Sequence, residues 1–121
     1  MASREHSRRR TSLLEATPVS PKTVISPKAY NDGSWHQAIV TLSTNGMILY
    51  IDGQNAAADP ATTTARNYQG YWKIGDDRIN TEWRSAPANK FFNGSLRFAA
   101  VYNSALAPTQ ISNRYAAGLN N

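Results

Sequence analysis

The stretch YNDGSWHQAIVTLSTNGMILYIDGQ, residues 30–54, decides how this chain folds. Its first residues, Tyr30 to Ser34, hold Asn31, Asp32 and Gly33, types that tolerate left-handed backbone, so they read as a turn. From Trp35 to Ser43 the residues Ile39, Val40, Thr41 and Leu42 are β-formers without helical spacing, which predicts a strand. Thr44-Asn45-Gly46 follows, and Asn-Gly between two such runs is among the strongest short-range hairpin signals. Met47 to Ile51 is the returning strand, Asp52-Gly53 a second turn, and Gln54 to Ala58 a short third strand. The three make a meander, with Trp35 as a large apolar anchor at its entrance, its indole N–H able to reach loop carbonyls.

Outward from this meander the signals thin. A short strand is predicted near Thr23-Val24-Ile25, before Pro27, and residues 59–69 read as loop. Gly70 to Gly75 (GYWKIG) predicts a further strand, whose Trp72 belongs in the core. Residues 76–91 are a long polar loop holding Trp83 and Pro87. Ser95 to Tyr102 predicts another strand, with Leu96, Phe98, Ala100 and Tyr102 on one face. The end changes character. Pro108 suits the first helical position, Leu106 and Ile111 form a hydrophobic staple, and Gln110 is placed to bond back to the chain start. Ile111 and Tyr115 share a helix face, and Gly118 is a fitting stop.

The 121 residues amount to one domain. Only 17% are charged, which suits β structure with polar loops better than a solvated helical protein. There is no cysteine, so disulfides and thiolate metal sites are excluded. No apolar run approaches the roughly 18 residues of a membrane span. The net charge of +5 is concentrated toward the start, where Arg4, Arg8, Arg9, Arg10 and Lys22 face only Glu5 and Glu15. Residues 1–22 are therefore expected to be a basic, disordered tail. SRRRTSLL opens like a twin-arginine export signal, but EATPVSPK follows in place of an apolar segment, so no complete signal peptide is expected. An Arg-rich arm can meet an anionic surface, yet no recognition element accompanies it, and no specific nucleic acid is expected as a partner.

Three segments together resemble a known family. YNDGSWHQAIVTLSTNGMILYIDGQ is similar to a pattern of Asp-Gly-x-Trp-His, an apolar strand, a turn and Leu-Tyr-x-Asp-Gly. NYQGYWKIGDD (67–77) resembles the later Tyr-x-Gly-x-Trp-x-Ile-Gly strand, and FFNGSLRFAAVYNSALAPTQISNRYAAG (91–118) resembles the closing strand and helix. The family is that of laminin-G-like, concanavalin A-like lectin and glucanase domains. The resemblance implies a mainly β fold, an antiparallel jelly-roll sandwich with a short C-terminal helix, over residues 23–121. Such a sandwich needs about eight or more strands, and five or six are visible. The front half of the pattern has no counterpart, so the sandwich is expected to be truncated at its N-terminal side and prone to self-association.

The resemblance also implies a noncatalytic module that binds a glycan or another extracellular ligand, in a secreted or cell-surface bacterial protein. The alternative is an incomplete structural or oligomerising fragment with no ligand of its own. Glycan hydrolysis needs two carboxylates roughly 5–9.5 Å apart, and no strand here carries an alternating acidic pair. Where the family's closing strand usually has Asp-Glu, this chain has Arg97-Phe98. Calcium, frequent in the family, would find Asp76, Asp77 and Asn80, with Arg78 offsetting their charge. The two histidines, His6 and His36, are too few for zinc, and His36 is expected to hydrogen-bond a neighbouring strand or loop. For a sugar the candidates are Trp83, Tyr71 and Tyr68 as apolar platforms, with Asn67 and Arg84 beside them. Trp83, in the long loop, leads that set.

Overall fold

The computed structural model of the protein describes residues 3–4, 21–67, 69–75, 83 and 85–120. Among the described residues five strands and one helix follow in order: β1 (Ser3–Arg4), β2 (Thr23–Val24), β3 (Ala38–Ser43), β4 (Gly46–Ile51), β5 (Gln54–Asp59) and α1 (Pro108–Leu119). β3, β4 and β5 form one antiparallel sheet in sequence order, and β1 pairs with β2. The mainly β antiparallel architecture with one C-terminal helix is as the sequence leads one to expect. Within the stretch expected to be tail, Ser3–Arg4 are strand. The rest of residues 1–20 lies outside the described residues.

The chain divides into two units, one of Met1–Arg4, Val24–Ala65 and Val101–Asn121, the other of Glu5–Thr23 and Arg66–Ala100. In the first, both hairpins close as their turn residues dictate. Ser43 pairs with Gly46 across Thr44-Asn45, and Ile51 with Gln54 across Asp52-Gly53. Asp52 (φ 52°) and Gly53 (φ 77°) are both left-handed, the pair that matches the twist of a two-residue hairpin. Gly46 sits at φ 100°, and a Cβ there would lie 2.6 Å from Asp59 O and Pro60 Cα. Only glycine fits.

β4 is the central strand and the most buried. Met47, Leu49 and Ile51 point to one face and form the core with Val24, flanked by Tyr30, Ala38, Leu42, Ala56 and Ala57. Both Ala56 and Ala57 reach that core because the register shifts between Leu49 and Tyr50: Leu49 faces Ala57 while Tyr50 faces Asn55. One extra residue on β5 turns two successive side chains inward. Ile48 and Tyr50 occupy the opposite face.

α1 starts where Pro108 fixes φ. The Ala107 N–H donates to Gln110 Oε1 at 2.8 Å, and Ile111 is fully buried. The helix passes Gly118 and ends at Leu119, one residue beyond the expected stop. Gly53 lets it approach, since a Cβ there would be 3.2 Å from Tyr115 Cβ and 3.3 Å from Ser112 Cα. Arg114 donates to Tyr102 Oη at 3.1 Å and lies over its ring.

Two predicted strands are absent. Residues 70–75 and 95–102 carry no strand among the described residues. In the second unit the Phe92 N–H bonds Gly75 O at 2.7 Å, with no ladder extending from it. Phe98 has φ 57°, a left-handed backbone that interrupts an alternating strand and costs about 1–3 kcal/mol in a bulky residue. Without a ladder, alternation fixes no inner face, and Leu96, Phe98, Val101 and Tyr102 are all exposed.

Candidate functional site

The sequence placed its ligand aromatics around residues 67–84. The structure reverses their burial. Trp83 is only 5% exposed, while Trp72 is 82% and Tyr71 80% exposed. The expectation of an exposed Trp83 and a core Trp72 rested on 70–75 being a half-buried strand. Since that segment has no strand partner, both of its aromatic rings face solvent, and the loop tryptophan takes the interior position. Asn67 is exposed in the same unit. Tyr68 and Arg84 lie outside the described residues, as do Asp76, Asp77 and Asn80, the expected calcium set. Among the described residues no group of three or more His, Cys, Asp or Glu side chains is arranged to hold a metal ion.

Trp35 is also corrected. It precedes β3 and is more than half exposed, so it is no core anchor. Its neighbour His36 does the fastening. His36 Nδ1 lies 2.7 Å from Asp52 Oδ2, and Nε2 lies 3.0 Å from Asp32 Oδ1. Asp52 Oδ1 accepts the Gln37 N–H at 3.0 Å, and the Asp52 N–H returns to Gln37 O at 2.9 Å. Asp32 also accepts the Ser34 N–H at 2.9 Å, an Asx turn. Tyr30 meets the imidazole edge-on at 5.0 Å, and Lys28 Nζ lies over the Tyr30 ring.

This cluster was only partly legible. A bond from His36 to a loop was expected, but its partners were not. Asp32 lies one helical-turn spacing before His36 and Asp52 sixteen residues after it, in a turn that the sequence assigns only to backbone geometry. Carboxylates accept and do not donate, so an imidazole bonded to one at each nitrogen is the doubly protonated cation. The Asp52 bond, then the Asp32 bond, hold the His36 pKa above its usual 6.5. The Ser34 N–H, then His36, hold that of Asp32 below its usual 3.8.

The three described carboxylates are thus occupied within the fold. Asp32 and Asp52 clasp His36, and Asp59 accepts the Ala61 N–H and the Thr62 hydroxyl. In the aromatic segment the chemistry on offer is stacking on Tyr71 and Trp72, with polar contacts from Asn67.

A laminin-G-type family model, described as the concanavalin A-like lectin/glucanases superfamily, matches residues 6–112. That span begins inside the stretch read as tail and takes in most of the chain. Among solved structures, an S-layer domain-containing protein (residues 221–444) from Clostridium thermocellum is similar at 24% identity with a TM-score of 0.58. The likeness covers 78% of this chain and 45% of that one, so this chain spans less than half of that structure. At that identity the likeness is one of fold. No match was found among curated proteins.

Proposed function

The chain belongs to the concanavalin A-like lectin/glucanase superfamily, and from that premise we propose that it is a noncatalytic, extracellular glycan-binding module. The observation that carries this reading is the adjacent exposed pair Tyr71 and Trp72. Aromatic faces in solvent, in the same segment of sequence as an exposed amide such as Asn67, are the kind of surface a sugar ring stacks on. Tyr68 and Arg84 are proposed to join this segment. A noncatalytic role is supported by the commitment of Asp32, Asp52 and Asp59 to hydrogen bonds inside the fold. The S-layer domain-containing relative favours a cell-surface setting. A calcium ion at Asp76, Asp77 and Asn80 belongs to the same proposal; EDTA would then lower the melting temperature and Asp77→Asn would remove that effect.

A glycan array on the folded chain tests the reading. Binding to one glycan class, reduced at least tenfold by Trp72→Ala with the fold intact, is expected. No signal on a broad array, with and without calcium, sinks it.

One observation favours a second reading. Ile74, Phe91, Leu96 and Phe98 are exposed within a single unit, Phe98 at 89%. Apolar surface in that density marks an interface. On this reading the chain is an incomplete module that associates, and the aromatic pair belongs to the contact.

A further inference from the structure

We propose that the outer face of the β3–β4 hairpin is a second binding site, a cleft that takes one neutral pyranose ring. This rests on the chain's being a glycan-binding module and assigns that role to a place distant in sequence from Tyr71 and Trp72. The cleft has a volume of about 400 Å3, within the roughly 300–1,000 Å3 of small-ligand sites.

The pairing register builds its floor. Thr41 faces Ile48 and Ile39 faces Tyr50, so Thr41, Ile48 and Tyr50 share the face turned away from Met47, Leu49 and Ile51. Leu106, Pro108 and Gln110, from the approach to α1 and its first turn, form the other wall.

Two features select the ligand. Thr41 and Tyr50 are each only 6% exposed and both line the cleft, yet neither hydroxyl has a hydrogen-bond partner among the described residues. Neither oxygen is among the fully buried atoms left without a partner, so both open to the cleft and can bond a ligand there. Gln110 spends its Oε1 on the Ala107 N–H, which leaves its amide nitrogen to donate. No charged side chain lines the cleft. Hydroxyls and an amide around Ile48, Leu106 and Pro108 match a ring with an apolar C–H face and a rim of neutral hydroxyls. An anionic sugar finds no counter-charge in that lining.

The test is an NMR titration of the whole chain with methyl glucoside, methyl galactoside, methyl mannoside and neutral oligosaccharides, with glucuronate as the anionic control. Saturable shifts at the Thr41, Ser43, Tyr50 and Gln110 amides are expected, with glucuronate binding more weakly. Thr41→Val and Tyr50→Phe keep shape and remove one hydroxyl each, and each should weaken binding about fivefold. Parental affinity in the double variant overturns the cleft. So do shifts confined to residues 67–75 and lost in Trp72→Ala, an outcome that leaves the aromatic segment as the glycan site. Binding of no glycan at all removes both readings. If the variants fail to fold, the parent chain decides, since absence of shifts at the cleft amides under saturating sugar rejects the proposal.

Discussion

His36 reaches across sixteen residues to Asp52, Nδ1 to Oδ2 at 2.7 Å, and so ties the turn before β3 to the turn between β4 and β5. Its other nitrogen holds Asp32 at 3.0 Å. The groups facing the imidazole are these two carboxylates and the edge of Tyr30, with the Lys28 ammonium over the far ring.

That arrangement sets a pH window. The His36 pKa is raised on folding, so its contribution is complete below the unfolded value near 6.5 and is lost as pH rises through the higher folded value. The Asp32 pKa is lowered, so its contribution is present above 3.8 and is lost as pH falls through the folded value. Stability is therefore expected to be greatest between about pH 4 and 6.5 and to decline as pH rises through the raised His36 value. His36→Gln should flatten the alkaline side. Melting curves across pH read this directly, and an unchanged alkaline slope in His36→Gln would contradict it.

Asp52 serves the clasp twice, with Oδ1 on the Gln37 N–H and Oδ2 on His36, while holding a left-handed backbone. Asp52→Ala removes both bonds and is expected to cost about 2 kcal/mol in urea unfolding. Asp52→Asn tolerates the backbone and can still accept from Gln37, so its loss should be about half as large. Equal losses in the two variants would mean that the carboxylate, which both lack, carries the clasp and the backbone tolerance of Asn adds nothing.

Gly46 and Gly53 both sit at positive φ, but their surroundings differ. A Cβ at Gly46 meets backbone atoms at 2.6 Å, whereas at Gly53 the nearest atom is the Tyr115 Cβ at 3.2 Å. Gly46→Ala is expected to destabilise by about 3 kcal/mol or more and Gly53→Ala by about 1–2 kcal/mol. The reverse ranking by chemical denaturation would refute the hairpin geometry.

Leu49 and Ile111 are fully buried in the β4 core and in α1. Each truncation to Ala should cost about 2–5 kcal/mol. Tyr71→Ala and Trp72→Ala remove exposed rings and should change stability by less than about 0.5 kcal/mol. A large loss from Trp72→Ala would place that ring in an interface.

The exposed apolar residues of the second unit make a prediction for the associating reading. If they form a contact, light scattering shows a concentration-dependent mass, and Phe98→Asp with Phe91→Asp returns the chain to monomer. A monomer at all concentrations removes that reading and leaves the surface to a ligand.

Local rules carried the reading of residues 23–59. Gly46, directly after Thr44-Asn45, and the Asp52-Gly53 pair fix their turns by left-handed tolerance, and the runs between them read as strands. The β4–β5 bulge escaped notice because Gln54-Asn55-Ala56-Ala57-Ala58 has no alternation from which to infer it. Residues 70–75 and 95–102 misled for a related reason. Composition can favour a strand, but a ladder needs a partner at the right place, and period-2 alternation does not supply one.

By itself the sequence determined the hairpin meander, the helix with its Pro108 start and Gln110 cap, and the family. Each depends on residues within a few positions of one another or on an ordered pattern. Tertiary structure alone decided that His36 binds Asp52 and Asp32, that Trp83 is inside and Trp72 outside, and that Thr41 and Tyr50 meet α1's approach across a cleft. These are contacts between segments far apart in the chain. Burial and pairing of that kind are fixed by where the backbone brings the segments, not by the residue types that the segments contain.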